Sequence, residues 1–384
     1  MPAEQRGTPV SSVKRRVAIV FTQLTYGGSE RQTVELLKRV KGTEWEPVIV
    51  ICLSEELYPY GAAIRSLGYR LLVLSRRANF EVGRLSELRR VLREERIDIA
   101  HAVGLLASAY TWLAAVTSRG VKTRVLPTMR SGVVPTNPVR RLLYRVMLKL
   151  TPVTLANSHS GAALLRTAFG LKDSQLAVVP NGLDIAELRE RASAGGLRQL
   201  LGLGTAQERI VGFIGKDAPV KNVPLFIEVF KRVLASHPSV HGVVIGQQLG
   251  EEARARLASD VPADRLHFLG TRADVPALLS EMDVLILTSR SEGCPNVVLE
   301  ALAVGTPVVA AAVGDIPVIL DKVNCGSVIE TAEPDDYAAA VLRWLPRNAA
   351  GPRAEPVHLG WLENSYGMTA MVTRTTEIWK ALTS

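Results

Sequence analysis

The chain has 384 residues, with 46 Lys and Arg against 37 Asp and Glu, and 47 % of it is hydrophobic. That length exceeds what one hydrophobic core usually supports, and the apolar share is enough for two. Aromatics are only 5 % and no basic run is interleaved with them, which argues against stacking on nucleic-acid bases; no run of about 18 apolar residues offers a membrane span. Cys52, Cys294 and Cys325 are far apart and odd in number, so they suggest neither a disulfide framework nor a metal-ligand spacing. They fit a reducing, cytoplasmic setting. Residues 1–16 are polar and lack the apolar core of a signal peptide.

Charge is uneven. Residues 1–183 hold 27 basic and 13 acidic side chains, a net of +14, whereas residues 184–384 hold 19 and 24, a net of −5. The first half is expected to meet something anionic, such as a membrane surface, a phosphorylated lipid or nucleic acid, or else to carry a solvated Arg-rich surface.

Short apolar runs alternate with helical patterns along the chain. The first strand is 17–21, followed by Gly27, Gly28 and a helix from Ser29, where Ser29 and Gln32 have capping-box spacing. Strands follow at 46–52 and 70–74, then a charged helix at 83–96 and a strand at 97–101 ending on His101. Further strands are expected at 121–127 and 153–156, with a basic, amphipathic helix at 137–150 between them. Residues 181–208 interrupt the pattern and read as a linker with a short helix. Strands resume at 209–214, 240–245, 265–269, 283–288 and 307–311. A last helix is expected at 365–382, after a Pro/Gly/Arg-rich stretch at 346–356. Fully apolar strands between helices imply parallel sheets covered on both faces. The fold class is therefore α/β, with two doubly wound Rossmann-like domains facing across a cleft. Residues 1–183 form the first domain and 184–364 the second, and the last helix at 365–384 is assigned to the first.

The segment from Glu292 to Glu300 carries the most chemistry. It places two carboxylates eight residues apart around a strand–loop–helix junction, with Pro295 suited to the first helical turn. The opening N–H groups of a helix make an anion site. A phosphate there, with hydroxyls on Glu292 and Glu300, describes a nucleotide sugar. Lys216 and Lys221 follow the strand at 209–214 and suit a diphosphate. Gly27 and Gly28 allow close approach to a ligand, and read equally as a tight turn. His101 is placed to meet a sugar hydroxyl, or to be a satisfied core histidine. Arg130 reads as a contact for a phosphate or an acceptor, or as a surface cation. The helix at 137–150 reads as a membrane-surface helix or as a core-packed one. There is no metal-ligand spacing, Walker loop or nucleophile elbow.

Taken together, these residues resemble family 4, the group 1 retaining glycosyltransferases of GT-B fold. The resemblance spans nearly the whole chain. It includes Gly27–Arg31, the segment from Val178 to Asp184, Lys216 and Lys221, the turn at Phe268–Thr271, and the two-glutamate motif. It implies transfer of a hexosyl or N-acetylhexosaminyl group from a UDP- or GDP-sugar to an acceptor hydroxyl. The acceptor implied is a lipid-linked saccharide in cell-surface polysaccharide assembly, reached by peripheral contact with an anionic membrane. By the same resemblance Glu300 binds ribose, Glu292 contacts the donor sugar and Thr271 lies at the base. Lys216, Lys221, Gly27, Gly28 and the N–H groups of Asn296, Val297 and Val298 hold the diphosphate, His101 touches the sugar, and no metal or other cofactor is required. Two departures stand out. Lys216 replaces an arginine, which loses a bidentate fork, and Val318 stands where the family often has glutamate. A sugar-nucleotide epimerase, a non-catalytic nucleotide-sugar-binding partner and a nucleic-acid-binding protein are the competing readings.

Overall fold

A computed structural model describes residues 15–25, 27–74, 82–118, 120, 122–130, 134–204, 207–216, 218–246, 250, 254–255, 259–345 and 356–384. Most of the polar start of the chain and most of the stretch at 346–356 lie outside these residues.

The chain opens with β1 (Val17–Phe21), α1 (Gly28–Val40), β2 (Ile49–Cys52), α2 (Tyr60–Ser66), β3 (Leu71–Val73) and α3 (Val82–Glu94). Next come β4 (Ile99–Val103), α4 (Leu105–Thr117), β5 (Arg124–Met129), α5 (Pro138–Leu150), β6 (Thr154–Ala156), α6 (His159–Phe169) and β7 (Leu176–Val178). These strands form one sheet in the order β3-β2-β1-β4-β5-β6-β7. Then follow α7 (Ile185–Ala192), α8 (Leu197–Leu200), β8 (Arg209–Ile214), α9 (Val223–Ser236), β9 (Val240–Ile245), β10 (Leu266–Gly270) and α10 (Val275–Glu281). The rest comprises β11 (Val284–Leu287), α11 (Asn296–Ala303), β12 (Val308–Ala311), α12 (Ile316–Val323), β13 (Gly326–Ile329), α13 (Pro334–Trp344), α14 (Pro356–Tyr366) and α15 (Met368–Thr383). The second sheet runs β10-β9-β8-β11-β12-β13.

Both sheets are of the doubly wound, parallel type. β1 pairs with β2 and β4 in parallel, and β8 does the same with β9 and β11. Alternation along the strands shows why the runs are apolar throughout. In β11, Val284 and Ile286 join one core with Val211, Phe213 and Val309, while Leu285 and Leu287 join another with Ile210, Val308 and Ala310. Both faces of the strand are covered, so neither set of side chains can be polar.

The residues fall into two compact units: one up to Thr128 with Leu142–Thr154 and Thr375–Ser384, the other Met129–Arg141 and Leu155–Arg374. Within the first, Trp379 of α15 is fully buried and its ring lies 6.1 Å from Trp45.

Several expectations need correction. Segment 181–208 is no linker, because Ile185 and Leu188 of α7 and Leu197 of α8 are core residues of the second unit. Leu183 also bridges in parallel to Gly367, with its N–H on the Tyr366 carbonyl at 2.7 Å. The final helix is broken at Gly367 into α14 and α15. β7 and β13 escape the sequence reading, being short and half-buried.

Candidate active site

In the second sheet the strand order reverses between β8 and β11. Loops leaving the carboxyl ends of two strands diverge there and leave a crevice, the usual ligand position in such folds. The loop after β8 carries Lys216 and Lys221, and the loop after β11 carries Glu292. They are tied together: Thr288 Oγ1 donates to the carbonyls of Lys221 (3.2 Å) and Asn222 (3.0 Å), and the Arg290 N–H donates to the Val220 carbonyl at 2.8 Å. Lys221 Nζ donates to Glu292 Oε1 at 2.5 Å, with the two side chains only 24 % and 10 % exposed. Burial to that degree limits solvent screening, so the pair holds the Lys221 ammonium in a defined place. Lys216 is exposed on the same loop.

Beyond Glu292 the chain enters α11. Pro295 is its N-cap, with extended backbone, one position earlier than expected. Asn296, Val297 and Val298 form the first turn, whose N–H groups find no acceptor within the helix except where Val298 reaches Pro295. Glu300 follows on α11 and is 7 % exposed.

A polar network fixes this junction. The Asn181 amide donates from Nδ2 to the Cys294 carbonyl (3.0 Å) and to Asn296 Oδ1 (2.7 Å), while Arg130 Nη1 donates to Asn181 Oδ1 at 3.3 Å. Both amide hydrogens and the amide oxygen are thereby used, which fixes the orientation of Asn181. Arg130, expected to meet a phosphate or acceptor, is thus engaged in holding the α11 entrance. Asp315 adds a second tie. It is 1 % exposed, and its carboxylate accepts from the backbone N–H groups of His159 (2.8 Å) and Ser160 (2.9 Å) at the start of α6. Its own N–H donates to the Gly293 carbonyl at 3.0 Å. Gly314 precedes it with φ +62°, so close to the Glu292 and Gly293 carbonyls that a Cβ would collide. Burial pushes the Cys294 thiol up to about 12, so it stays neutral beside the site. All three cysteines are free.

Thr271 is exposed just after β10. Gly27 is the N-cap of α1 and Gly28 its first residue. The capping box at Ser29 and Gln32 is not formed, because the helix starts a residue earlier and Gln32 is buried. His101 is not at a strand end: β4 continues two residues past it. It is 1 % exposed, with Nε2 2.9 Å from Thr128 Oγ1 and its ring edge-on to Trp379 at 5.8 Å. A side chain enclosed this way packs the first unit's core and does not present a nitrogen to a sugar.

Asn181 and Asp315 belong to this network and carry no local signal in the sequence. Asn181 lies in a segment noted only for resemblance, and the Asp315 tie spans more than 150 residues. Among the described residues no cluster of three or more His, Cys, Asp or Glu side chains is arranged to hold a metal.

Comparison with known proteins agrees with this geometry. Residues 26–187 match Glycosyltransferase Family 4, and residues 208–347 match Glycosyl transferases group 1. The chain is similar to the D-inositol 3-phosphate glycosyltransferase of Mycobacterium marinum, with 29 % identity over 278 residues, 67 % of this chain and 57 % of that protein. The Mycobacterium tuberculosis counterpart is 30 % identical over 290 residues, 68 % of this chain and 58 % of the relative. The chain thus spans less than three fifths of these relatives. In fold it is similar to Anabaena HepE in complex with UDP, with a TM-score of 0.79 at 19 % identity, covering 95 % of this chain and 100 % of that one. HepE is also known with UDP-glucose. A glycosyltransferase from Rickettsia africae has a TM-score of 0.79 at 15 % identity, covering 96 % and 98 %. The two family matches together take in most of the chain, and it belongs to the group 1, family 4 glycosyltransferases.

Proposed function

We propose that this protein transfers a sugar from a nucleoside-diphosphate sugar to an acceptor hydroxyl with retention at the anomeric carbon. The observation that carries this reading is the Lys221–Glu292 pair beside the N-terminus of α11, with Glu300 on the same helix. The diphosphate would rest on Lys221, Lys216 and the first N–H groups of α11, with the ribose hydroxyls on Glu300. When the bond from C1 to the phosphate oxygen breaks, negative charge grows on the diphosphate. Fixed cations and helix N–H groups are already in place there, and one such donor is worth about 2.7–4 kcal/mol. The acceptor oxygen forms the new bond to C1 on the face the phosphate leaves, and its proton passes to the departing phosphate oxygen. Protein cations then do the work that a metal does in other transferases, so activity is expected to survive a chelator.

The donor class is read as UDP- or GDP-linked hexose or N-acetylhexosamine, and the acceptor as a saccharide on a lipid carrier. Helix α5 supports the membrane part of the reading. Its buried side is Tyr144, Met147 and Leu148, yet Val139, Leu142, Val146 and Leu150 are 74, 62, 41 and 67 % exposed. Their spacing of three, four and four residues makes one apolar stripe, and exposed Arg140, Arg141, Arg145 and Lys149 accompany it. That pairing suits an anionic lipid surface. No helix among the described residues is long and apolar enough to cross a membrane.

The test is thermal stabilisation by UDP, GDP and their sugars in a chelator, followed by assay of nucleotide release with lipid-linked acceptors. A ligand at a hundredfold its Kd adds about 2.7 kcal/mol. Stabilisation by one nucleotide series and its loss in Glu300→Gln support the reading; no stabilisation of the folded protein by any of them sinks it. For the membrane, sedimentation with phosphatidylglycerol vesicles is expected to drop in the Leu142→Ser, Leu150→Ser double variant. Equal binding by variant and parent removes α5 from the account.

A further inference from the structure

Arg84 stands on the first turn of α3, in the first unit, and is 6 % exposed. Neither Nε nor Nη2 of its guanidinium has a hydrogen-bond partner, carboxylate or otherwise, and both atoms are closed off from water. Burial strips a cation of its hydration, so a buried guanidinium normally has an anion or a set of acceptors beside it. A ring contact does not replace them. Arg84 Cζ lies 5.4 Å from the ring centroid of Tyr110 on α4. Stacking of that kind engages the flat face of the guanidinium and leaves its in-plane N–H donors unused.

The identity of the two unpartnered nitrogens matters. Nε–H and the neighbouring Nη2–H point the same way along one edge of the guanidinium, the fork that takes two oxygens of one oxyanion. The position of Arg84 adds further donors. α3 has 13 residues, and the N–H groups of Val82, Gly83 and Arg84 open it with no acceptor inside the helix. Helical side chains lean toward the helix N-terminus, so Arg84 leans toward those groups. Val82 is 69 % exposed and a Cβ on Gly83 would meet nothing within 4 Å, so the space outside this turn is open. Burial pushes the Cys52 thiol up to about 11, against the pull of the Arg84 charge. Cys52 is the last residue of β2, so the guanidinium lies by the carboxyl end of the first sheet, the edge where such sheets take ligands. A carboxylate fills the fork alone. A phosphoryl group fills the fork and keeps an oxygen for the helix N–H groups, so the combination favours phosphate chemistry.

We propose that Arg84, backed by Tyr110, and the first turn of α3 bind a phosphoryl group that enters over the open turn at Val82 and Gly83. This site lies in the first unit, whereas Lys216, Lys221 and α11 lie in the second. The inference goes beyond the donor reading and stands without it. The phosphoryl group is carried by an acceptor or is a free phosphate ion; both present the same oxygens to the fork.

The experiment follows thermal unfolding of the full chain in chloride buffer against added inorganic phosphate. The reference protein is the Lys216→Ala, Lys221→Ala double variant, which disables the diphosphate grip, and it is compared with the same protein carrying Arg84→Met or Arg84→Lys. Phosphate is expected to raise the Tm of the reference. Arg84→Met should need about ten- to a hundredfold more phosphate for the same rise, the scale of losing hydrogen bonds to a charged group. Arg84→Lys keeps the charge without the fork and should fall between the two. No rise in the reference, or an equal response with and without Arg84, overturns the proposal. Glycerol 3-phosphate, with glycerol as its control, separates the two sources. A rise at lower concentration than inorganic phosphate requires identifies a carried phosphoryl group, and the reverse order identifies the free ion. If no nucleotide stabilises the parent chain, the transferase reading fails and this site is untouched.

Discussion

Each sheet reverses its strand order between two central strands, β1 and β4 in one, β8 and β11 in the other. Sequence reasoning placed a chemical residue at each reversal, His101 in the first sheet and Glu292 in the second. Their surroundings differ completely. Around Glu292 several polar ties fix the loop: Lys221 on its carboxylate, Thr288 and Arg290 stitching the two loops, Asp315 behind Gly293. Around His101 the neighbours are Thr128 and Trp379, and the side chain is closed off from water. Position at the right end of the right strand is therefore not enough to make a functional side chain. What separates the two is whether the loop beyond carries the residue outward or the strand continues past it.

The largest effect that tests this contrast is a pair of substitutions. Lys221→Ala is expected to cut turnover by at least about 10²-fold, the scale of losing one fixed stabiliser of transition-state charge. His101→Gln is expected to lose about 1–3 kcal/mol of stability, seen in Tm, while kcat stays within about twofold. A His101→Gln variant with intact Tm and collapsed kcat breaks the comparison. Next in size is Glu300→Gln. Hydrogen bonds to a charged group are worth about 1.5–3 kcal/mol, so nucleotide affinity should weaken roughly ten- to a hundredfold in calorimetry, with little change in Tm.

Asp315→Ala comes third and separates support from chemistry. It strands two N–H groups at the start of α6 and frees the Gly293 carbonyl from a fixed neighbour. Loss of about 1–3 kcal/mol of stability is expected in denaturant melts, with Asp315→Asn intermediate. If Asp315→Ala melts like the parent, the tie between α6 and the Glu292 loop has no energetic weight.

These residues also show what can be read from a sequence and what cannot. The central strands are legible because both their faces are buried, which leaves apolar runs such as Asp283–Thr288 bounded by turns. β7 and β13 are not, since Leu176–Val178 and Gly326–Ile329 are short and half-exposed, and nothing forces an apolar run there. The Glu292–Glu300 segment is legible because its two carboxylates and helix start are local. Asn181 and Asp315 act on partners more than 100 residues away, so no spacing announces them. His101 misleads for a related reason. Its strand boundary falls two residues later than the pattern suggests, because Ala102 and Val103 extend the apolar run without a turn signal.

The smallest expected effect lies away from the site, in the second sheet, where β9 and β10 bring His241 and His267 together. Arg265 Nη1 donates to His241 Nε2 at 3.0 Å, which makes that nitrogen an acceptor and puts the ring hydrogen on Nδ1. His241 Nδ1 then donates to His267 Nε2 at 3.2 Å, and the rings stack with centroids 5.5 Å apart. The chain of donors works only with both rings neutral. Burial pushes both histidines below their ordinary value, helped by the Arg265 charge at His241 and by His241 at His267. Each folded pKa therefore lies below its unfolded value, and the unfolded chain binds more protons in the interval. Stability from this pair is fully present above about pH 6.5 and is lost as pH falls through that value toward the folded ones. Tm measured from pH 7.5 down to 5 should fall more steeply in the parent than in His267→Gln, which has no second ring to protonate. Parallel Tm curves for the two proteins would mean that the pair titrates alike in the folded and unfolded states.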